Sequence, residues 1–170
     1  FNKKNSCLKI INIGRLTHQK DQITFLKALY LIKEKIRFKA LIVGSGAEKK
    51  NLQEYITKKN MLNDVKIVNY NPNPFPLLKK ADLFILTSLY EGLPNVLLEA
   101  LVLKKIIFST NCQTGPREIL EGGKNGTLFK VKDHKTLSRK ILEFNMNKKK
   151  YHKKLQNFNN SLKKFDQKRN

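Results

Sequence analysis

Two carboxylates and two cations carry most of the chemistry this chain could do. Glu91 and Glu99 stand in residues 88–100, SLYEGLPNVLLEA, and Arg15 and Lys20 stand in residues 14–20, GRLTHQK. Between the carboxylates, Pro94 suits the first position of a helix, where its missing N–H costs nothing. The amides of Asn95, Val96 and Leu97 then lack an intrahelical partner. With the helix dipole behind them they form a site for an anion such as phosphate. Gly92, followed by Leu93, lets a ligand approach the backbone closely. Glu99 lies among Val, Leu and Ala, where a carboxylate is costly unless something hydrogen-bonds to it. Two kinds of partner are open: a structural lysine or amide, or a pair of ligand hydroxyls.

The elements that must position these groups follow from apolar runs and breakers. Residues 8–13 (LKIINI) read as a buried strand ending at Gly14, and Asp21 or Thr24 can cap a helix to about residue 35. That places residues 14–20 at the carboxyl end of a strand, where parallel sheets bind ligands. Residues 38–43 form a second strand closed by Gly44-Ser45-Gly46, with a helix over 47–59. Lys49 stands where a dinucleotide fingerprint would need its third glycine, so an NAD site is not expected. A third strand (65–68) runs into a loop rich in Pro and Asn, a short helix covers 76–80, and strand 83–86 delivers the motif helix, which runs through Leu103. A fifth strand (105–109) precedes TGPREIL, which reads as another glycine-proline helix start. A last strand covers 127–131 and a helix 135–145. Strands alternate with helices six times, which predicts an α/β, Rossmann-like parallel sheet with helices on both faces.

The spacing Glu91-x7-Glu99, with GLPNVLLEA inside it, resembles the E-x7-E signature of retaining glycosyltransferases with the GT-B fold, glycosyltransferase family 4. The resemblance implies that the chain is the C-terminal, donor-binding half of such a fold. Glu91 would lie against the donor sugar, Glu99 would hold the ribose hydroxyls, and the amides after Pro94 would take the diphosphate. GRL-x3-K resembles the family's diphosphate site, so Arg15 and Lys20, beside Gly14, are the expected phosphate clamps. Glu91, Arg15 and Lys20 thus form the expected catalytic set. VGSG resembles a turn that lies near the nucleotide in the family, which assigns Gly44 to the substrate. The loop at residues 69–74 would pass the base with its backbone near Tyr70 and Asn71, and Asn69 stands where the family commonly has glycine.

The implied reaction is transfer of a hexose or N-acetylhexosamine from a nucleoside diphosphate sugar, with retention, in cell-surface polysaccharide or lipopolysaccharide assembly. TGPREIL is similar to a segment of a family branch acting on lipid-linked saccharides. The donor is a substrate, no further cofactor is expected, and cations and amides replace a metal. No D-x-D occurs, and His18, His134 and His152 make no metal spacing. The acceptor, a glycan or a lipid-linked saccharide, would bind the family's N-terminal half. Two other readings stay open: a donor-binding half without activity alone, and a nucleotide-sugar epimerase of the same fold.

At 170 residues, length allows one domain: a nucleotide-sugar-binding unit over 1–146 and a basic helical tail over 147–170. The chain opens on Phe1, which leaves a fragment of a longer protein open. Cys7 and Cys112 read as reduced thiols, and no signal peptide or membrane span is expected, so the protein is placed in the cytoplasm. The 35 basic and 13 acidic residues give a net charge of +22. Residues 148–170 hold nine Lys/Arg against Asp166. Tyr151, Leu155, Phe158, Leu162 and Phe165 draw a helical stripe along this tail. The charge fits either compositional bias or an anionic membrane face at which the enzyme is peripheral. No interleaved basic and aromatic stretch marks a nucleic-acid site.

Overall fold

A computed structural model describes residues 7–152. Six strands form one parallel sheet in the order β3-β2-β1-β4-β5-β6. They are β1 (Leu8–Ile13), β2 (Phe38–Val43), β3 (Val65–Val68), β4 (Leu83–Leu86), β5 (Ile106–Thr110) and β6 (Thr127–Phe129). The helices between and after them are α1 (Gln22–Tyr30), α2 (Lys49–Lys58), α3 (Phe75–Lys80), α4 (Asn95–Val102), α5 (Pro116–Ile119), α6 (His134–Met146) and α7 (Lys148–His152).

Alternation along the strands sorts the core into two layers. Leu8, Ile10, Ile42, Ile85 and Phe108 face one side, where they meet Phe25 and Leu29 of α1, Leu52 and Ile56 of α2, and Ile141 and Phe144 of α6. Ile11, Ile13, Val43, Phe84 and Ile107 face the other, against Leu78 of α3, Leu97 and Leu101 of α4, and Ile119 of α5. Strands β4 and β5 are buried along their whole length, which is why β4 reads as an unbroken apolar run and β5 as one up to Ser109. The expected architecture is therefore the observed one.

Several boundaries differ from the expected ones. Helix α1 ends at Tyr30 rather than near residue 35, because the chain tightens into i→i−3 turns: Ile32 donates to the Leu29 carbonyl and Lys35 to that of Ile32. Asp21 precedes α1 in a left-handed conformation (φ 46°), so its backbone carbonyl rather than its side chain receives the Thr24 amide. Pro94 stands one place before the helix, with an extended ψ of 95°, and α4 begins at Asn95. Asn69 is outside the left-handed region and needs no glycine-like freedom. Tyr151 is buried against Phe108 and Phe144, with ring centroids 5.4 Å from each, so the tail's stripe begins as expected. Its remaining positions, Leu155 to Phe165, lie outside the described residues.

Candidate active site

Strands β1 and β4 lie side by side at the centre of the sheet, Ile10 opposite Leu83 and Ile11 opposite Phe84. From β1 the chain goes on to β2 on one side, and from β4 to β5 on the other. Strand order reverses here, between β1 and β4, and the carboxyl edge at such a switch point is where parallel sheets bind ligands. The first loop carries Gly14, Arg15 and Lys20; the second carries Glu91, Gly92, Leu93 and Pro94.

The two loops are laced together. The Leu89 amide donates to the Gln19 carbonyl at 2.8 Å, the Gln19 side chain to the Tyr90 carbonyl at 3.0 Å, and the Thr87 hydroxyl to the Lys20 carbonyl at 2.9 Å. At the centre, the Lys20 ammonium and the Ser88 hydroxyl both donate to Glu91 Oε1 at 2.5 Å. The Glu91 side chain is 5% exposed and that of Lys20 14%, so this is a buried ion pair. Lys20, expected as a free phosphate clamp, is thus already engaged with the carboxylate expected at the sugar. An ammonium has three donors, and two remain for a ligand.

Two further loops brace this pair. After β5, the Thr110 hydroxyl donates to the Ser88 carbonyl at 2.7 Å and the Thr114 hydroxyl to the Glu91 carbonyl. Gly115 has φ +70°, and a Cβ there would stand 2.2 Å from the Gly92 oxygen and 2.9 Å from Pro94 Cδ. Only glycine fits both the conformation and the space. Buried Cys112 lies in the same loop, where burial pushes its thiol up. After β2, a Cβ on buried Gly44 would lie 1.9 Å from the Gly14 oxygen. Gly44, expected at the substrate, is therefore required by loop packing. Tyr70 and Asn71 are exposed at the rim; the Tyr70 amide donates to the Ser45 hydroxyl at 3.2 Å.

Helix α4 supplies the remaining groups. Its buried Leu97 and Leu101 each contribute about 1.5–3 kcal/mol. A charge at a helix end is worth about 0.3–1 kcal/mol, so packing holds the helix and leaves its start available. Among the described residues the amides of Asn95 and Val96 have no partner, whereas the Leu97 amide donates to the Pro94 carbonyl at 2.9 Å. The anion site therefore offers two amides rather than three. Gly92 is exposed, and a Cβ there would meet nothing within 4 Å, so that side of the loop is open. Glu99 lies one turn below Asn95 on the same helix face. It is half-buried, and among the described residues nothing hydrogen-bonds to its carboxylate. Burial pushes its carboxyl above the usual range. Arg15 is exposed, with its carbonyl held by the Gln22 side chain at 2.9 Å and its guanidinium unpaired among the described residues.

Sequence reasoning missed Gln19, Ser88, Thr110 and Thr114. Their signal was slight: Thr87-Ser88 are polar residues directly after a fully apolar strand, and Thr114 precedes a Gly-Pro step.

Comparison with known proteins gives a consistent result. The profile of the family described as "Glycosyl transferases group 1" matches residues 1–164. An uncharacterized glycosyltransferase of Methanocaldococcus jannaschii is 47% identical over 111 residues, which is 65% of this chain and 27% of that protein. An α-1,4-N-acetyl-D-galactosaminyltransferase of Campylobacter jejuni, whose name specifies a diphospho-undecaprenol-linked saccharide, is 30% identical over 92% of this chain and 43% of its own length. The chain thus spans less than half of either relative. The crystal structure of a mutant of S. aureus TarM, in complex with UDP among other ligands, superposes with a TM-score of 0.83 at 23% identity, covering 95% of this chain and 34% of that one. At that identity the likeness speaks for the fold, while the profile carries the family. Fold, site placement and profile agree, and the chain belongs to the glycosyl transferases group 1 family.

Proposed function

We propose that this chain is the donor-binding half of a retaining, metal-independent hexosyltransferase or N-acetylhexosaminyltransferase, with a nucleoside diphosphate sugar as donor. In this reading it is the C-terminal half of a GT-B fold, and the acceptor binds a half outside this sequence. The free amides of Asn95 and Val96, with Arg15, take the diphosphate. As the sugar leaves, they stabilise the charge that develops there, already oriented and requiring no metal ion. Lys20 bridges from Glu91 to the diphosphate with its remaining donors. Glu91, fixed by Lys20 and Ser88, orients the sugar, and Glu99 accepts from the ribose hydroxyls. Backbone near Tyr70 and Asn71 contacts the base.

The observation that carries this reading is Glu99. A half-buried carboxylate without a partner among the described residues, one turn beneath two amides also unpartnered there, suits a diphosphate followed by a diol. Relatives named for undecaprenol-linked substrates favour an acceptor at a membrane, with the enzyme peripheral to it. The share of the relatives covered favours a second reading, a half that binds donor without turning it over alone. Calorimetric titration with a panel of nucleoside diphosphates, in buffer containing chelator, tests the site. Binding of at least one without divalent metal is expected, and no binding of any would overturn the proposal.

A further inference from the structure

A groove of about 670 Å³ opens away from the carboxyl edge, over the amino-terminal parts of β1, β2 and β3. In the parallel register Lys9 stands opposite Lys39, Ile11 opposite Leu41, and Leu41 opposite Lys66, so these side chains rise from one face of the sheet. That face is the one packed by α3, α4 and α5. Over β2 and β3, however, no helix lies on it among the described residues, since α2 packs on the opposite side. Ile11 and half-buried Leu41 form the floor, and Leu77 of α3 forms a wall.

The rim is cationic. Lys9, Lys39, Lys66 and Lys80 are all exposed, and among the described residues that line the groove Asp64 is the one acid. Lys39 reaches the Asn63 carbonyl and stands 3.9 Å from Asp64. The ammonium groups of Lys9, Lys66 and Lys80 have no partner among the described residues.

We propose that this groove docks an acidic amphipathic helix of a partner polypeptide, its apolar stripe on Ile11, Leu41 and Leu77 and its carboxylates on the four lysines. Parallel sheets are covered by helices on both faces, and the space left over β2 and β3 is that of one more helix. Charge decides what can fill it. The chain's own tail, with nine Lys/Arg against one acid, would repel the rim, and so would a second copy at net charge +22. A flat bilayer would meet the lysines and leave the recessed floor uncovered. The proposal is independent of the donor site, and its test involves no nucleotide.

The probe is a labelled synthetic peptide of about 16 residues, leucines at i, i+3, i+4 and i+7 and glutamates elsewhere, followed by fluorescence anisotropy with the 170-residue chain. Lys66→Glu/Lys80→Glu should weaken binding by about tenfold or more, whereas Lys50→Glu/Lys58→Glu, on exposed positions of α2, should leave it nearly unchanged. Leu41→Ser, or serine in place of the peptide's leucines, should also weaken it by about tenfold. Since the lysine variants alter only exposed side chains, loss of fold does not obscure the result. Equal losses in both charge-reversed variants would reduce the effect to net charge and overturn the proposal. So would a failure of the peptide to bind. If anionic vesicles bound through Lys66 and Lys80 while the peptide did not, the face would belong to a bilayer instead.

Discussion

The loop carrying Glu91 and the helix turn carrying Glu99 treat the same functional group in opposite ways. Glu91 is buried and receives hydrogen bonds from Lys20 and Ser88, while Thr114 bonds its backbone carbonyl. Glu99, eight positions on, is half-buried and has no partner among the described residues. A carboxylate supplied with partners by the fold is held in place before any ligand arrives. A carboxylate left without them costs stability until a ligand supplies the hydrogen bonds. Glu91 thus belongs to the frame of the proposed site, and Glu99 is the carboxylate that the proposal assigns to the ligand.

That contrast is most easily broken at Lys20. Lys20→Met leaves Glu91 buried without its counter-charge and should destabilise the chain by about 3 kcal/mol in urea unfolding. Adding Glu91→Gln should recover part of that loss. If the double variant were as unstable as the sum of the singles, the pair would not be coupled. Gly115→Ala comes next. Its methyl group, added at a residue with φ +70°, must push the Gly92 carbonyl aside, at an expected cost of about 2 kcal/mol, and donor binding should fall with it because Gly92 precedes the helix start.

Arg15→Ala separates binding from stability. Its exposed guanidinium supports no described contact, so melting should be unchanged while diphosphate affinity drops by about 1.5 kcal/mol. Unchanged affinity in calorimetry would remove Arg15 from the site. The smallest effect concerns Glu99 without ligand. Burial raises its folded pKa, so its contribution to stability is complete below the ordinary carboxylate range and is lost as pH rises through the raised value. At neutral pH the ionised group is a cost. Glu99→Gln should therefore melt higher than the parent near pH 7, and the gap should close towards about pH 4. A gap constant with pH would assign Glu99 a partner.

The fold was legible because β4 is apolar throughout, β5 opens on the apolar run Ile106–Phe108, and the helices between strands show one apolar stripe, so strand–helix alternation leaves few topologies. The motif carboxylates were legible through their spacing and Pro94. The ion pair was not, because Lys20 and Glu91 are 71 residues apart and meet only where strand order reverses. The packing roles of Gly44 and Gly115 were hidden for a related reason. A glycine needed by a ligand and a glycine needed by a neighbouring loop look identical in sequence, and only the 1.9 Å and 2.2 Å approaches separate them. Helix ends shifted by a few residues because the tightened turns after Tyr30 keep Ile32 buried and so preserve the helical stripe.

Calorimetric titration of UDP into the parent chain, Glu99→Gln and Glu91→Gln tests the proposed division between Glu91 as frame and Glu99 as ligand contact most directly. UDP lacks the sugar, so the account predicts that Glu99→Gln weakens it by about 1–2 kcal/mol, through the lost ribose hydrogen bonds. Glu91→Gln, which frees the Lys20 ammonium towards the diphosphate, should bind UDP as tightly as the parent or more so. Equal weakening in both variants, or none in Glu99→Gln, would contradict it.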